Sequence, residues 1–283
     1  MNAGACLCGA IRYELDAPAS ALTHCHCSTC RKHHGAPFAS FIEASPAAVR
    51  WLTGADRVAR FSSSATRERC FCQVCGAVAP TTSGDRLLLP AGNLSGDLGD
   101  AGGRHVFAAS KPGWHTIADE LPQFAGAVPG WACEMASASA NAAEGSASEQ
   151  PIPGSCLCGD VTFAITGRPA RWMQCHCSRC RRARSAAHGS NAFYPLSQFS
   201  WLSGRGNVKT FRPPDAERFA VSFCMSCGGG APVERDNVPF VLMPAALFDA
   251  DPGARPEAHI HIASKAPWLS VRDDLPQFPE LPS

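Results

Sequence analysis

The sequence predicts a mainly β protein built twice in tandem, and three observations lead there. The segment Cys25-His26-Cys27-Ser28-Thr29-Cys30-Arg31 returns as Cys175-His176-Cys177-Ser178-Arg179-Cys180-Arg181, 150 residues later. Short stretches alternate apolar and polar side chains, the period of a half-buried strand. Glycine (25) and proline (23) are abundant and helical periods are scarce, which divides the chain into short strands and turns.

Taken in order, each copy opens on a Cys-x-Cys corner, Gly4-Ala5-Cys6-Leu7-Cys8-Gly9 and Gly154-Ser155-Cys156-Leu157-Cys158-Gly159. A strand should leave each corner, with Ile11, Tyr13 and Leu15 on one face of the first and Val161, Phe163 and Ile165 on one face of the second. The three-cysteine motif follows, then β-prone segments at Phe38 to Ile42 and Asn191 to Tyr194. Trp51-Leu52-Thr53-Gly54 and Trp201-Leu202-Ser203-Gly204 come next, with both tryptophans assigned to the core. Phe71-Cys72-Gln73-Val74-Cys75-Gly76 recurs as Phe223-Cys224-Met225-Ser226-Cys227-Gly228 at an offset of 152, which places a two-residue insertion just before it. The Cys-x-x-Cys-Gly form is a turn that aims two sulfurs at one point, and the glycine eases the chain reversal. His105-Val106-Phe107 and His259 to Ile262 read as a further pair of strands. Ser110-Lys111-x-x-Trp114 and Ser264-Lys265-x-x-Trp268 then lead to Leu-Pro-Gln-Phe at 121–124 and 275–278. Residues 130–153 are rich in Ala, Ser and Glu without an apolar period and read as a linker between units 1–129 and 154–283.

Bulk composition narrows the function. The chain has 45% hydrophobic and 17% charged residues and no apolar run long enough to span a bilayer, so a globular, membrane-free protein is expected. With 25 basic and 24 acidic residues it lacks the global positive field that accompanies nucleic-acid binding. The first residues lack the features of a secretory signal, and a cytoplasmic location is expected. In a reducing compartment, 16 cysteines at C-x-C and C-x-x-C spacing point to metal rather than disulfides.

Seven cysteines recur per copy, and they divide as a closed four-sulfur site and a three-sulfur site. A four-ligand site normally joins two pairs distant in sequence, which selects Cys6, Cys8, Cys72 and Cys75, and then Cys156, Cys158, Cys224 and Cys227. The remaining trios are Cys25, Cys27, Cys30 and Cys175, Cys177, Cys180. Either a fourth protein ligand closes each trio, or an open zinc position takes water or a substrate thiol. His26 and His176 are nearest, yet in an extended Cys-x-Cys segment the middle side chain points away from the flanking sulfurs. Cys70 has Ser222 as its counterpart, so a site common to both copies does not need it. Cys133 has no counterpart and reads as a surface thiol. Arg31 and Arg181 either hold an anionic substrate near the metal or are solvated. Lys111 and Lys265 read as snorkelling surface residues, and His105 and His259 as structural strand histidines. No general base is obvious beside the trios.

As a set, Gly-x-Cys-x-Cys-Gly, Cys-His-Cys-Ser-x-Cys-Arg, Phe-Cys-x-x-Cys-Gly and Ser-Lys-x-x-Trp resemble the GFA family, the glutathione-dependent formaldehyde-activating enzymes and the related centromere protein V domains. The resemblance spans nearly all of both copies. It implies two Mss4-like zinc-binding β-sheet domains with two zinc ions each. One zinc would be structural, on the first and third cysteine pairs, and one would sit on the central trio. The implied activity is that of a carbon–sulfur lyase or synthase, with glutathione or a similar small thiol and formaldehyde or a similar small aldehyde as partners. Zinc on Cys25, Cys27 and Cys30, or on Cys175, Cys177 and Cys180, would then present a thiolate to a carbonyl carbon. The family's Ala-Gly-x-Leu-Asp pattern is incomplete in both copies, at Ala91-Gly92-Asn93-Leu94-Ser95 and Ala245-Ala246-Leu247-Phe248-Asp249. A non-catalytic zinc module, structural, metal-buffering or protein-binding, is the alternative.

Overall fold

A computed structural model describes residues 2–16, 20–96, 98, 102–129 and 150–282. In the first half, Asn2–Ala5, Arg12–Leu15 and Val49–Thr53 form an antiparallel sheet with Leu94–Ser95 at one edge. A second sheet runs in the order Gly103–Val106, Leu22–Cys25, Ala39–Ala44, Arg86–Pro90, Thr81–Ser83, and Val58–Ser64 pairs with Arg67–Cys72 as a separate hairpin. The second half repeats the plan. Ile152–Ser155, Thr162–Ile165 and Phe199–Ser203 make one sheet, and Phe240–Pro244, Gly189–Pro195, Arg171–Cys175 and Ala258–Ile260 make another. Val208–Phe211, Val221–Cys224 and Gly230–Ala231 complete it.

Side chains alternate across these strands as expected. Tyr13 and Leu15 are buried while Arg12 is exposed, and Phe163 and Ile165 are fully buried. The tryptophans assigned to the core correct that expectation: Trp51 and Trp201 are only half-buried. Their strands, Val49–Thr53 and Phe199–Ser203, lie at sheet edges, where one flank meets solvent. Trp201 accordingly sends its indole N–H to Glu234 Oε2 at 2.9 Å.

Two short helices, α1 (Ser28–His34) and α2 (Ser178–Arg184), also form, each starting inside a three-cysteine motif. Seven residues are too few to show a helical period, so the sequence pattern is silent about them. Among the described residues no helix is long and apolar enough to cross a membrane.

The halves interlock through reciprocal contacts. Each Phe-Cys-x-x-Cys-Gly turn faces the other, with Phe71 and Phe223 rings 6.3 Å apart. A Cβ on Gly76 would fall 2.4 Å from Phe223 Cγ, and one on Gly228 would fall 2.3 Å from Phe71 Cγ. Helix α1 rests on the turn Ala245–Leu247 and α2 on Ala91–Asn93, so the incomplete family pattern lies at the contact between halves. Lys32 pairs with Asp249 and donates to Ser155 Oγ across the same contact. The two Ser-Lys-x-x-Trp arms are exchanged. Trp114 packs into the second half's core, 5.2 Å from Trp172, while Trp268 packs against the first half's core and over His24.

Candidate functional site

Among the described residues four groups of cysteine sulfurs come together: Cys6, Cys8, Cys72 and Cys75; Cys156, Cys158, Cys224 and Cys227; Cys25, Cys27 and Cys30; and Cys175, Cys177 and Cys180. In each group the ligand atoms all lie within 4.8 Å of one another. The first four-sulfur group joins the corner after Asn2–Ala5 to the turn after Arg67–Cys72. Ile11 N–H donates to Cys6 Sγ, and the Gly76 N–H, with Gly76 at φ 73°, closes the turn on Cys72 O at 2.9 Å. Sulfur separations are 3.5 Å for Cys6 and Cys8, 3.8 Å for Cys6 and Cys72, and 3.7 Å for Cys8 and Cys72. A tetrahedron with metal–sulfur bonds of ~2.3 Å has edges of ~3.8 Å, whereas a disulfide needs ~2.05 Å. The donor set therefore fits a tetrahedral metal such as zinc. The second-half group has the same geometry, with 3.5 Å between Cys156 and Cys158 and 3.8 Å between Cys158 and Cys224.

Each trio is assembled by a strand running into a helix. Cys25 ends Leu22–Cys25, Cys27 caps α1 by accepting the Cys30 N–H at 3.4 Å, and Cys30 lies in the first turn. Cys175, Cys177 and Cys180 repeat this around α2. Separations of 3.5 Å between Cys25 and Cys27 and 3.6 Å between Cys175 and Cys177 again suit metal coordination. Among the described residues no fourth Cys, His, Asp or Glu ligand atom joins Cys175, Cys177 and Cys180.

Electrostatics also argue for a cation in these groups. Hydrogen bonds from neighbouring thiols pull Cys6, Cys156 and Cys177 down, while the same neighbours push Cys75, Cys227, Cys175 and Cys180 up. One thiolate forms at the expense of the others unless positive charge neutralises the set.

The faces opposite the trios carry a feature that sequence reasoning missed. Because strand side chains alternate, Cys25 and Cys27 face one way and His24 and His26 the other. Gly103–Val106 lies parallel to Leu22–Cys25 and sets His105 beside them. His26 Nε2 is 2.8 Å from His105 Nδ1, and His105 Nε2 is 3.0 Å from Asp119 Oδ1. His176, His259 and Asp273 form the same chain at 2.8 and 2.9 Å. The carboxylate fixes the tautomers: His105 donates from Nε2 to Asp119, so its Nδ1 accepts the Nε2–H of His26. His26 and His176 are thus engaged away from the sulfurs, as the geometry of an extended segment predicts. His105 and His259 link each buried histidine to a carboxylate. Asp119 and Asp273 precede Leu-Pro-Gln-Phe in both copies, a repetition that could have flagged them. Between the halves these chains border a cleft of about 50 Å³, lined also by Phe38, His115, Gln174 and His188. His188 stands where the first copy has Phe38, so no repeat marked it.

The other candidates separate. Arg31 is half-buried and its Nε donates to His26 O at 3.0 Å. The ammonium groups of Lys111 and Lys265 donate to His115 O and Leu269 O at 3.1 Å, which gives them a role in holding the arms. Cys70 is buried outside the four-sulfur group. Cys133 and residues 130–149 lie outside the described residues, and the strand Ile152–Ser155 includes the last two residues of the expected linker.

Residues 1–100 and 151–264 match the family described as glutathione-dependent formaldehyde-activating enzyme. An uncharacterized lyase of Schizosaccharomyces pombe is 36% identical over 73 residues, 26% of this chain and 51% of that protein. The chain thus spans about half the length of this curated relative. A Rhodobacter sphaeroides protein of known crystal structure shares 24% identity over 37% of this chain and 98% of its own, with a TM-score of 0.28.

Proposed function

The chain belongs to the glutathione-dependent formaldehyde-activating enzyme family, and from that premise we propose that it is a zinc-dependent carbon–sulfur lyase or synthase acting on a small thiol adduct such as S-hydroxymethylglutathione. The observation that carries this reading is the second-half trio, Cys175, Cys177 and Cys180, whose convergent sulfurs meet no fourth ligand atom among the described residues and stand apart from a complete four-sulfur group in the same half. In the forward direction a thiol adds to an aldehyde: the S–H proton leaves, a carbon–sulfur bond forms, the carbonyl π bond breaks, and its oxygen takes a proton. The lyase direction reverses each change.

Cys25, Cys27 and Cys30, or Cys175, Cys177 and Cys180, would hold the reaction-site zinc, and the four-sulfur groups the structural zinc. Zinc at a trio supplies the positive charge that keeps a thiol ionised at neutral pH. The chain's own contribution is placement. Helices α1 and α2 hold the trios rigidly, and the Asp119–His105–His26 and Asp273–His259–His176 chains brace the strand ends from behind.

Metal analysis should find about four zinc ions per chain, two in each half. Glutathione-dependent formaldehyde consumption should exceed the spontaneous rate and fall to it in the double variant Cys27→Ser, Cys177→Ser. A wild-type protein that never exceeds the spontaneous rate would refute this reading for formaldehyde. The non-catalytic alternative draws support from one observation: the cysteines of the first trio are at most 1% exposed.

A further inference from the structure

The two trios share a backbone plan but not their surroundings. Cys25, Cys27 and Cys30 are 0, 1 and 1% exposed, whereas Cys175 and Cys180 are 6 and 8% exposed and Cys177 is partly open to solvent. The first trio sits inside an apolar cluster with Phe41, Leu88, Phe107 and Val128. In the second half the equivalent of Phe41 is Asn191, whose amide reaches Cys180 Sγ at 3.7 Å. The equivalent of Phe107 is His261: both follow the parallel strand and both adopt a left-handed backbone, φ 54° and 57°. Phe107 is buried over its trio, while His261 is partly exposed and within electrostatic reach of Cys177.

Charge has been redistributed as well. Buried Arg69 donates from Nη1 to Cys30 Sγ at 3.5 Å in the first half, and Val221 occupies its place in the second. A charged donor on a metal-bound sulfur draws off electron density and lowers its reactivity. The arginine after each trio differs in the opposite sense. Arg31 spends its Nε on His26 O, but Arg181 Nε is buried without a hydrogen-bond partner among the described residues. A buried guanidinium N–H without a partner is costly and calls for an acceptor. Arg181 also lies within electrostatic reach of Cys177.

We propose that the trios have diverged: the second-half trio takes the thiol substrate, with Arg181 receiving a carboxylate of an anionic thiol, while the first-half trio is a sealed structural centre. This rests on the thiol-adduct reading for the substrate class, but the difference in access stands without it. Arg181 is therefore a specificity-determining residue, matched to thiols that bear a carboxylate a few bonds from sulfur.

Two measurements on the full metal-loaded chain test this. In the first, neutral iodoacetamide is applied to the native protein and labelling is mapped by peptide mass spectrometry. Cys177 should be modified at least about ten times faster than Cys27, given burial-controlled access to thiolates. Equal rates, or faster labelling of Cys27, would overturn the difference in access. In the second, the cobalt-substituted protein is titrated with glutathione and with 2-mercaptoethanol while the sulfur-to-metal charge-transfer band is followed. Loss of one charge-assisted contact in Arg181→Met should raise the half-saturating glutathione concentration about ten-fold and that of 2-mercaptoethanol less than two-fold. Equal shifts for the two thiols would refute the carboxylate role of Arg181. Because neither readout requires turnover, an absence of lyase activity would count against the thiol-adduct reaction alone.

Discussion

Asp119 and Asp273 show how a single carboxylate sets the state of two buried imidazoles. Each accepts from a histidine that in turn accepts from the histidine between two sulfurs. Removing the carboxylate leaves a buried N–H unsatisfied, so Asp119→Ala should cost about 1–3 kcal/mol of stability, read from the urea midpoint. Buried histidines also shape the acid response. Burial holds His34 at about 4 and pushes His188 well below its ordinary value, so both are neutral when folded. Unfolded, each binds a proton near pH 6.5, so between that value and the folded pKa the unfolded state carries more protons. Stability is therefore complete above about pH 6.5 and declines as pH falls, by about 2 kcal/mol per histidine at pH 5. Urea denaturation at pH 7 and pH 5 measures this, and His188→Phe, which restores the residue type of the first copy, should flatten the slope.

At the scale of the element, the Phe-Cys-x-x-Cys-Gly turn does two jobs. It presents two sulfurs to a four-sulfur group, and its glycine receives the phenyl ring of the other half's turn. Gly76 and Gly228 also hold φ near 70°, where a side chain is strained. Alanine at either position adds the left-handed penalty to the overlap with a phenyl ring, about 2–4 kcal/mol in all. Gly76→Ala and Gly228→Ala should each lower the thermal midpoint by several degrees. Equivalent losses are expected from the two variants because the contact is reciprocal. Gly84, whose added Cβ would meet nothing within 4 Å, lies outside this contact and serves as the control.

For the whole molecule, the exchanged arms make the halves mutually dependent. Trp114 completes the second core and Trp268 covers the first, so a lone half would expose a large aromatic surface. Residues 1–129 and 150–283 produced separately should aggregate or self-associate, whereas co-expression should yield a 1:1 complex by size-exclusion chromatography. Two independently stable monomers would contradict the interlocked arrangement. Chelation should also unfold the molecule cooperatively, since the paired Phe-Cys-x-x-Cys-Gly turns lie on the contact between halves. A chelator titration followed by circular dichroism would show one transition rather than two.

The amino-acid sequence by itself determined the duplication, the strand-rich character, the family and the grouping of the cysteines. These are legible because metal-ligand chemistry depends on residue type and short spacing, and because a repeat states each motif twice. Helices α1 and α2 were invisible for want of length. The Asp–His–His chains were invisible because parallel strand pairing joins His105 to His26 across 79 residues, and nothing local encodes that approach. Only the tertiary structure decided that the arms cross between halves and that one trio is fully enclosed while the other is partly exposed at Cys177. Burial is a property of whatever packs above a residue, and for the nearly identical Cys25–Arg31 and Cys175–Arg181 segments the coverings come from elsewhere: Phe107 and Arg69 over one, His261 and Val221 beside the other.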